Sequence, residues 1–134
     1  MKKILPFCLL FLSFSCKKEE ISPDHLLIMH RWERTSLQIT TPDKVTTEQL
    51  TLPCQKDDLY IFGAGYSFII VNRESCNTSE YAMFYDSYAL RNNRLTILNE
   101  PREIKELNKK RMVLFFTRND TVFTETFKAI PLYK

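Results

Sequence analysis

From residue 30 onward the hydrophobic positions recur with a period close to two, in short stretches broken by clusters of Asn, Asp, Lys, Pro and Gly. Such alternation marks half-buried β-strands, and the clusters mark the turns between them. The pattern predicts strands over residues 32–40, 45–52, 59–62, 66–72, 81–90, 94–98, 103–107, 111–117 and 121–130. The turns fall at Thr41-Pro42-Asp43-Lys44, Gly63-Ala64-Gly65, Arg91-Asn92-Asn93, Asn108-Lys109-Lys110 and Arg118-Asn119-Asp120. One short helical signal precedes them. Ser22 stands as N-cap, Pro23 as first helical residue and Asp24 against the positive end of the dipole, ahead of Leu26, Leu27 and Ile28. No helix is long enough for a parallel crossover, so strands adjacent in sequence pair antiparallel. A sheet of this many strands removes its exposed edges by closing. The expected fold is all-β: a small antiparallel up-and-down barrel of about eight strands behind a short N-terminal helix.

The period does not say which face of each strand looks inward. Met112, Leu114 and Phe116 share one face of their strand and Val113 and Phe115 the other; Tyr81, Met83 and Tyr85 oppose Ala82, Phe84 and Tyr88. Both faces are apolar. The last strand carries an exception, because Thr121, Phe123, Glu125, Phe127 and Ala129 fall together and set a carboxylate between two phenylalanines. Facing outward, Glu125 is solvated near a rim. Facing inward, it pairs with an arginine such as Arg34 or contacts a cationic or hydroxylated ligand, since a buried charge needs a partner.

The first residues follow a different pattern. Lys2 and Lys3 precede an apolar run over residues 4–14, then Ser15, Cys16 and the polar Lys17-Lys18-Glu19-Glu20. Roughly 20 apolar residues are needed to span a bilayer, so this run is too short and reads as a secretory signal peptide over residues 1–15. The segment Leu12-Ser13-Phe14-Ser15-Cys16 resembles a bacterial lipobox, with Leu12 one position further from the cysteine than usual. That resemblance implies acylation at Cys16 and a lipidated tether over residues 16–23. Lys18-Glu19-Glu20 resembles a surface-export signal. The barrel domain then occupies residues 24–134.

Composition narrows the function classes. The 134-residue chain is 44% hydrophobic and 13% aromatic, enough for one core. Without Lys2 and Lys3, 17 basic residues face 16 acidic ones. That near balance argues against nucleic-acid binding, which needs a cationic surplus to displace counterions from phosphates. Of the four cysteines, Cys8 lies in the leader and Cys16 at the lipid site. Cys54 and Cys76 remain as an even pair in a chain bound for an oxidising compartment, where a disulfide is the default. His25 and His30 supply no metal-ligand spacing, and Asp57-Asp58 lacks the interleaved oxygens and glycine of a calcium loop. No phosphate loop, G-x-S-x-G turn or HExxH helix is present, so neither an enzyme nor a cofactor is expected.

The mature chain resembles the lipocalin-like lipoproteins of Bacteroidota-type bacteria over about residues 24–130. The resemblance is carried by Leu27 and Trp32, by Pro53-Cys54-Gln55-Lys56-Asp57-Asp58 before an aromatic strand, and by Cys76. It continues through Tyr88-Ala89-Leu90, Asn92-Asn93, Leu95, Ile104, Leu107 and Met112-Val113-Leu114. Arg31 stands where the family usually has Gly before its Trp. The resemblance implies a lipocalin-like barrel with a Cys54–Cys76 bridge, held at the outer membrane in the cell envelope. The function expected is that of a lipoprotein binding a small apolar ligand, with Trp32, Tyr85, Phe116 and Glu125 as candidate contacts. The alternative is a filled-barrel scaffold that binds a protein or host macromolecule. An interior cavity of a few hundred Å³ would mark the first, and a packed interior with an exposed apolar patch the second.

Overall fold

The computed structural model describes residues 20–73, 76 and 83–132. The leader 1–15, Cys16, Lys17, Lys18 and Glu19 lie outside the described residues, as do Tyr81 and Ala82 at the start of the expected fifth strand. The chain enters through α1 (Pro23–Ile28), where the Ser22 hydroxyl accepts from the His25 N–H at 3.3 Å, the cap the sequence implies. Nine strands follow: β1 (His30–Thr40), β2 (Thr46–Glu48), β3 (Leu59–Phe62), β4 (Ser67–Val71), β5 (Met83–Arg91), β6 (Arg94–Ile97), β7 (Glu100–Leu107), β8 (Arg111–Arg118) and β9 (Thr121–Pro131).

Each strand from β3 to β9 pairs antiparallel with the next, and β1 closes the ring by pairing with β3 on one edge and β9 on the other. The result is a closed eight-stranded barrel with β2 as an extra strand hairpinned onto the far half of β1. Three hairpins are two-residue turns whose central residues all have positive φ: Asn92-Asn93, Leu98-Asn99 and Asn119-Asp120. That conformation matches the right-handed twist of the flanking strands, and Asn and Asp tolerate it; Leu98 at φ 54° does not do so easily.

β2 is shorter than the expected 45–52 because Glu48 turns back. Its carboxylate accepts from the Ser36 hydroxyl and, at 2.9 Å each, from the N–H groups of Leu37 and Leu50, which ends the ladder. Burial works to raise the Glu48 pKa, but these hydrogen bonds outweigh it and hold the carboxyl below its usual value. β7 starts earlier than expected, at Glu100, with Pro101 on the exposed outer face.

The inward faces meet in one cluster: Trp32, Tyr60, Phe62, Phe68, Tyr88, Leu95, Ile97, Ile104, Met112, Leu114 and Phe127, joined by Leu27 from α1. Ring contacts run across the axis, with Phe62 at 5.1 Å from both Phe68 and Tyr88 and Tyr60 edge-on to Phe127 at 4.9 Å. This is a barrel filled by its own aromatic side chains. Alternating strand direction gives it two ends. Gathered at one, the helix end, are α1 and the turns after β3, β5 and β7; the other, the rim, has the remaining loops and β2.

Candidate functional site: an ion-pair chain beneath the rim

Above the aromatic layer the barrel interior becomes charged. Alternation along β9 turns Glu125 inward with Phe127, opposite Leu37 on β1 and Leu114 on β8. On β7, Arg102 is in phase with the buried Ile104 and so projects into the same layer. Its Nε donates to Glu125 Oε2 at 2.8 Å, and its Nη1 donates to the carbonyls of Ile97 (2.8 Å) and Glu100 (3.1 Å). Glu125 Oε1 lies 3.7 Å from Arg34 Nη1, and Arg34 Nη2 donates to Asp58 Oδ2 at 2.9 Å. Towards the other wall, the Glu100 carboxylate takes Arg102 at 3.6 Å and Arg118 at 2.6 Å.

The side chains therefore form one chain of alternating sign: Asp58, Arg34, Glu125, Arg102, Glu100, Arg118. Its centre is buried and its last member, Arg118, is 61% exposed on its side chain. Aromatic faces support the cations. Arg34 lies 5.6 Å over Tyr60 and Arg102 5.0 Å over Phe116, and Phe116 stacks on Phe123 at 4.7 Å with 2° between the planes. Burial pushes the Tyr60 phenol up to about 12; Arg34 pulls against that, and Glu125 and Asp58 add to it. Tyr60 stays neutral beneath the chain.

Taking the buried Glu125 and Arg102 out of water costs several kcal/mol each, roughly offset by their mutual attraction and by the carbonyls that accept from Arg102. Glu125 is thus inward and paired, with Arg34 as one partner. Arg102 is the closer one, and sequence reasoning missed it. Its only signal was an arginine two positions before Ile104, just outside the strand expected over 103–107.

The four candidate ligand contacts do not converge. Trp32 plugs the helix end, fully buried, its Nε1–H donating to the Leu27 carbonyl at 3.0 Å. Glu125 and Phe116 share the rim side and are bridged by Arg102. Tyr85 points outward, 67% exposed, beside Ile69 of β4. With Ile61, Val71 and Met83 it makes an apolar strip across the outside of β3, β4 and β5.

The Cys54–Cys76 disulfide is present, with 5.4 Å between Cα atoms. It ties the turn at Pro53–Gln55 to the loop after β4 and borders a rim cleft of about 200 Å³ beside Arg34 and Asp58. A larger cleft of about 480 Å³ opens at the helix end between Ile21, Pro23 and Leu26 on one side and Leu107 and Lys109 on the other. Among the described residues, no three His, Cys, Asp or Glu side chains gather into a metal-binding group. No family model, curated protein or solved structure matches the chain.

Proposed function

We propose that this chain is an acylated envelope lipoprotein whose filled barrel is a rigid scaffold, docking a partner protein on its outer wall. The observation that carries this reading is the occupied axis. Rings fill the helix half of the interior and the ion-pair chain crosses the rim half, so binding surface is left mainly on the outside. The strip of Ile61, Ile69, Val71, Met83 and Tyr85 is the apolar surface suited to a partner. The lipobox-like segment ending in Cys16 supports the anchor, and the resemblance to lipocalin-like lipoproteins supports the envelope location, periplasmic or surface-facing.

The test is site-specific photocrosslinking in the native host, with a benzophenone side chain at Tyr85 or at Thr117 on the far wall. A discrete protein adduct from position 85 and none from position 117 is expected. Equal adducts, or none from position 85, would refute the docking wall. A second reading keeps a small apolar ligand but moves it out of the barrel, into the cleft lined by Ile21, Pro23, Leu26 and Leu107, which is more apolar than the rim cleft beside Arg34 and Asp58.

A further inference from the structure

The two ends of the barrel differ in charge, and the end nearer the expected anchor is cationic. In the turn after β5, Arg91 and Arg94 flank Asn92-Asn93; in the turn after β7, Lys109 and Lys110 stand side by side. All four are exposed, and none makes an ion pair with a described residue. The next cation, Arg111, is held by Glu106 at 3.5 Å. The acidic groups at this end are mostly engaged: Glu106 by Arg111, Glu103, which stands opposite Arg94 in the ladder, by Lys105 at 2.8 Å, and Asp24 by the Tyr88 hydroxyl at 3.1 Å, while Glu20 borders the large cleft. Apolar and amphipathic side chains stand among the cations, with Tyr66 56% and Met29 42% exposed. At the rim the loops mix signs, Asp43, Asp57 and Asp120 with Lys44 and Lys56.

We infer that the helix end is a membrane-facing surface that seats on anionic phospholipid headgroups. The inference rests on the acyl anchor for bringing that end to the bilayer. Residues 16–22 reach at most about 25 Å when extended, so a lipid on Cys16 keeps α1 close to the headgroups. Within a Debye length, about 8 Å at physiological salt, the four unpaired cations feel an anionic leaflet. Each basic residue strengthens such binding roughly fivefold. Tyr66 and Met29 are suited to the interface, where an amphipathic ring or a flexible apolar chain enters the headgroup layer. Seating this end leaves the barrel upright, with the ion-pair rim away from the bilayer and the strip around Tyr85 open at the side.

The test uses full-length protein purified from its own membranes and reconstituted into phosphatidylcholine vesicles with or without phosphatidylglycerol. An amine-reactive mass tag reads each lysine. Phosphatidylglycerol is expected to lower tagging of Lys109 and Lys110 at least fivefold, leave Lys44 and Lys56 unchanged, and lose its effect at about 1 M salt, where the Debye length is about 3 Å. Arg91→Glu with Arg94→Glu, which leaves the reporter lysines in place, is expected to reduce the protection to less than twofold. Native emission from the buried Trp32 checks that this variant is folded. Equal tagging of Lys109 and Lys110 on both vesicles, or protection of Lys44 and Lys56 instead, would overturn the inference. Unchanged protection in the folded double variant would do the same. Intact mass of the same sample reads the anchor separately. A chain with no acyl group refutes that part of the proposed function, while its lysine protection on phosphatidylglycerol still decides the surface.

Discussion

Replacing Glu125 with Ala removes the central anion of the buried chain and leaves Arg102 and Arg34 facing each other across the gap. Breaking a buried pair from one side costs about 3–5 kcal/mol, most of it the penalty of an uncompensated charge. Arg102 keeps the Ile97 and Glu100 carbonyls and the Glu100 carboxylate, and Arg34 keeps Asp58, which sets the expectation at the low end, about 3 kcal/mol. With a urea slope of about 1.5 kcal/mol per M, the unfolding midpoint falls by about 2 M. Trp32, the single tryptophan and fully buried, reports the transition through its emission. The double replacement Glu125→Leu with Arg102→Met removes both charges at similar volume, while Asp58 still holds Arg34 and Arg118 still holds Glu100. It is expected within about 1 kcal/mol of the natural chain, because an apolar pair of the same shape needs no desolvation. A midpoint shift under about 0.5 M for Glu125→Ala would show that water reaches the carboxylate. A double variant less stable than the single one would show that the ions contribute more than they cost.

Three further perturbations test other parts of the structure. Tyr60 holds its proton up to about 12 when folded and loses it near 10 when unfolded, so the folded state binds more protons in that window and stability falls as pH rises through it. The loss is roughly 2–3 kcal/mol, and Tyr60→Phe should remove it; identical alkaline unfolding curves for the two chains would contradict the burial argument. Opening the Cys54–Cys76 bridge, which closes a 22-residue separation, by a double Ser replacement should cost about 3 kcal/mol in thermal or urea unfolding, and no change would mean that the rim loops are held by other contacts. Leu98→Gly relieves a left-handed leucine and should raise stability by about 1 kcal/mol, whereas a loss would show that the partly exposed side chain contributes more by packing than its backbone costs.

Most strands and turns were legible because their signals are local, but the Leu98-Asn99 turn was not, since Leu98 reads as the end of an apolar strand. Asn92-Asn93 and Asn119-Asp120 name their own turn type, and Ser22-Pro23-Asp24 names its helix start. Which face looks inward was not legible in β5 and β8 because both of their faces are apolar, and in β1 and β7 two bulges shift the phase. In β1 the inward positions are Trp32 and Arg34 before the register break at residue 35, and Leu37 and Ile39 after it. In β7 they are Arg102 and Ile104 before the break at residue 105, and Leu107 after it. A strict period of two cannot follow a side chain through such a break. The ion-pair chain was hidden for a second reason. Glu125 was conspicuous between two phenylalanines, but its partners Arg34 and Arg102 are separated from it by 91 and 23 residues, and only the folded barrel brings them together. Trp32, Tyr85, Phe116 and Glu125 looked like one lining because each is large or charged in an apolar stretch; closure sends them to the plug, the outer wall and the rim layer.

Native mass spectrometry of the full-length protein released from its own membranes in mild detergent tests the filled-barrel account most directly. The account predicts a processed chain carrying its acyl group, alone or with a protein partner, and no small molecule leaving on collisional activation. A stoichiometric apolar compound that departs while the acyl mass stays would contradict it and give the function to ligand binding.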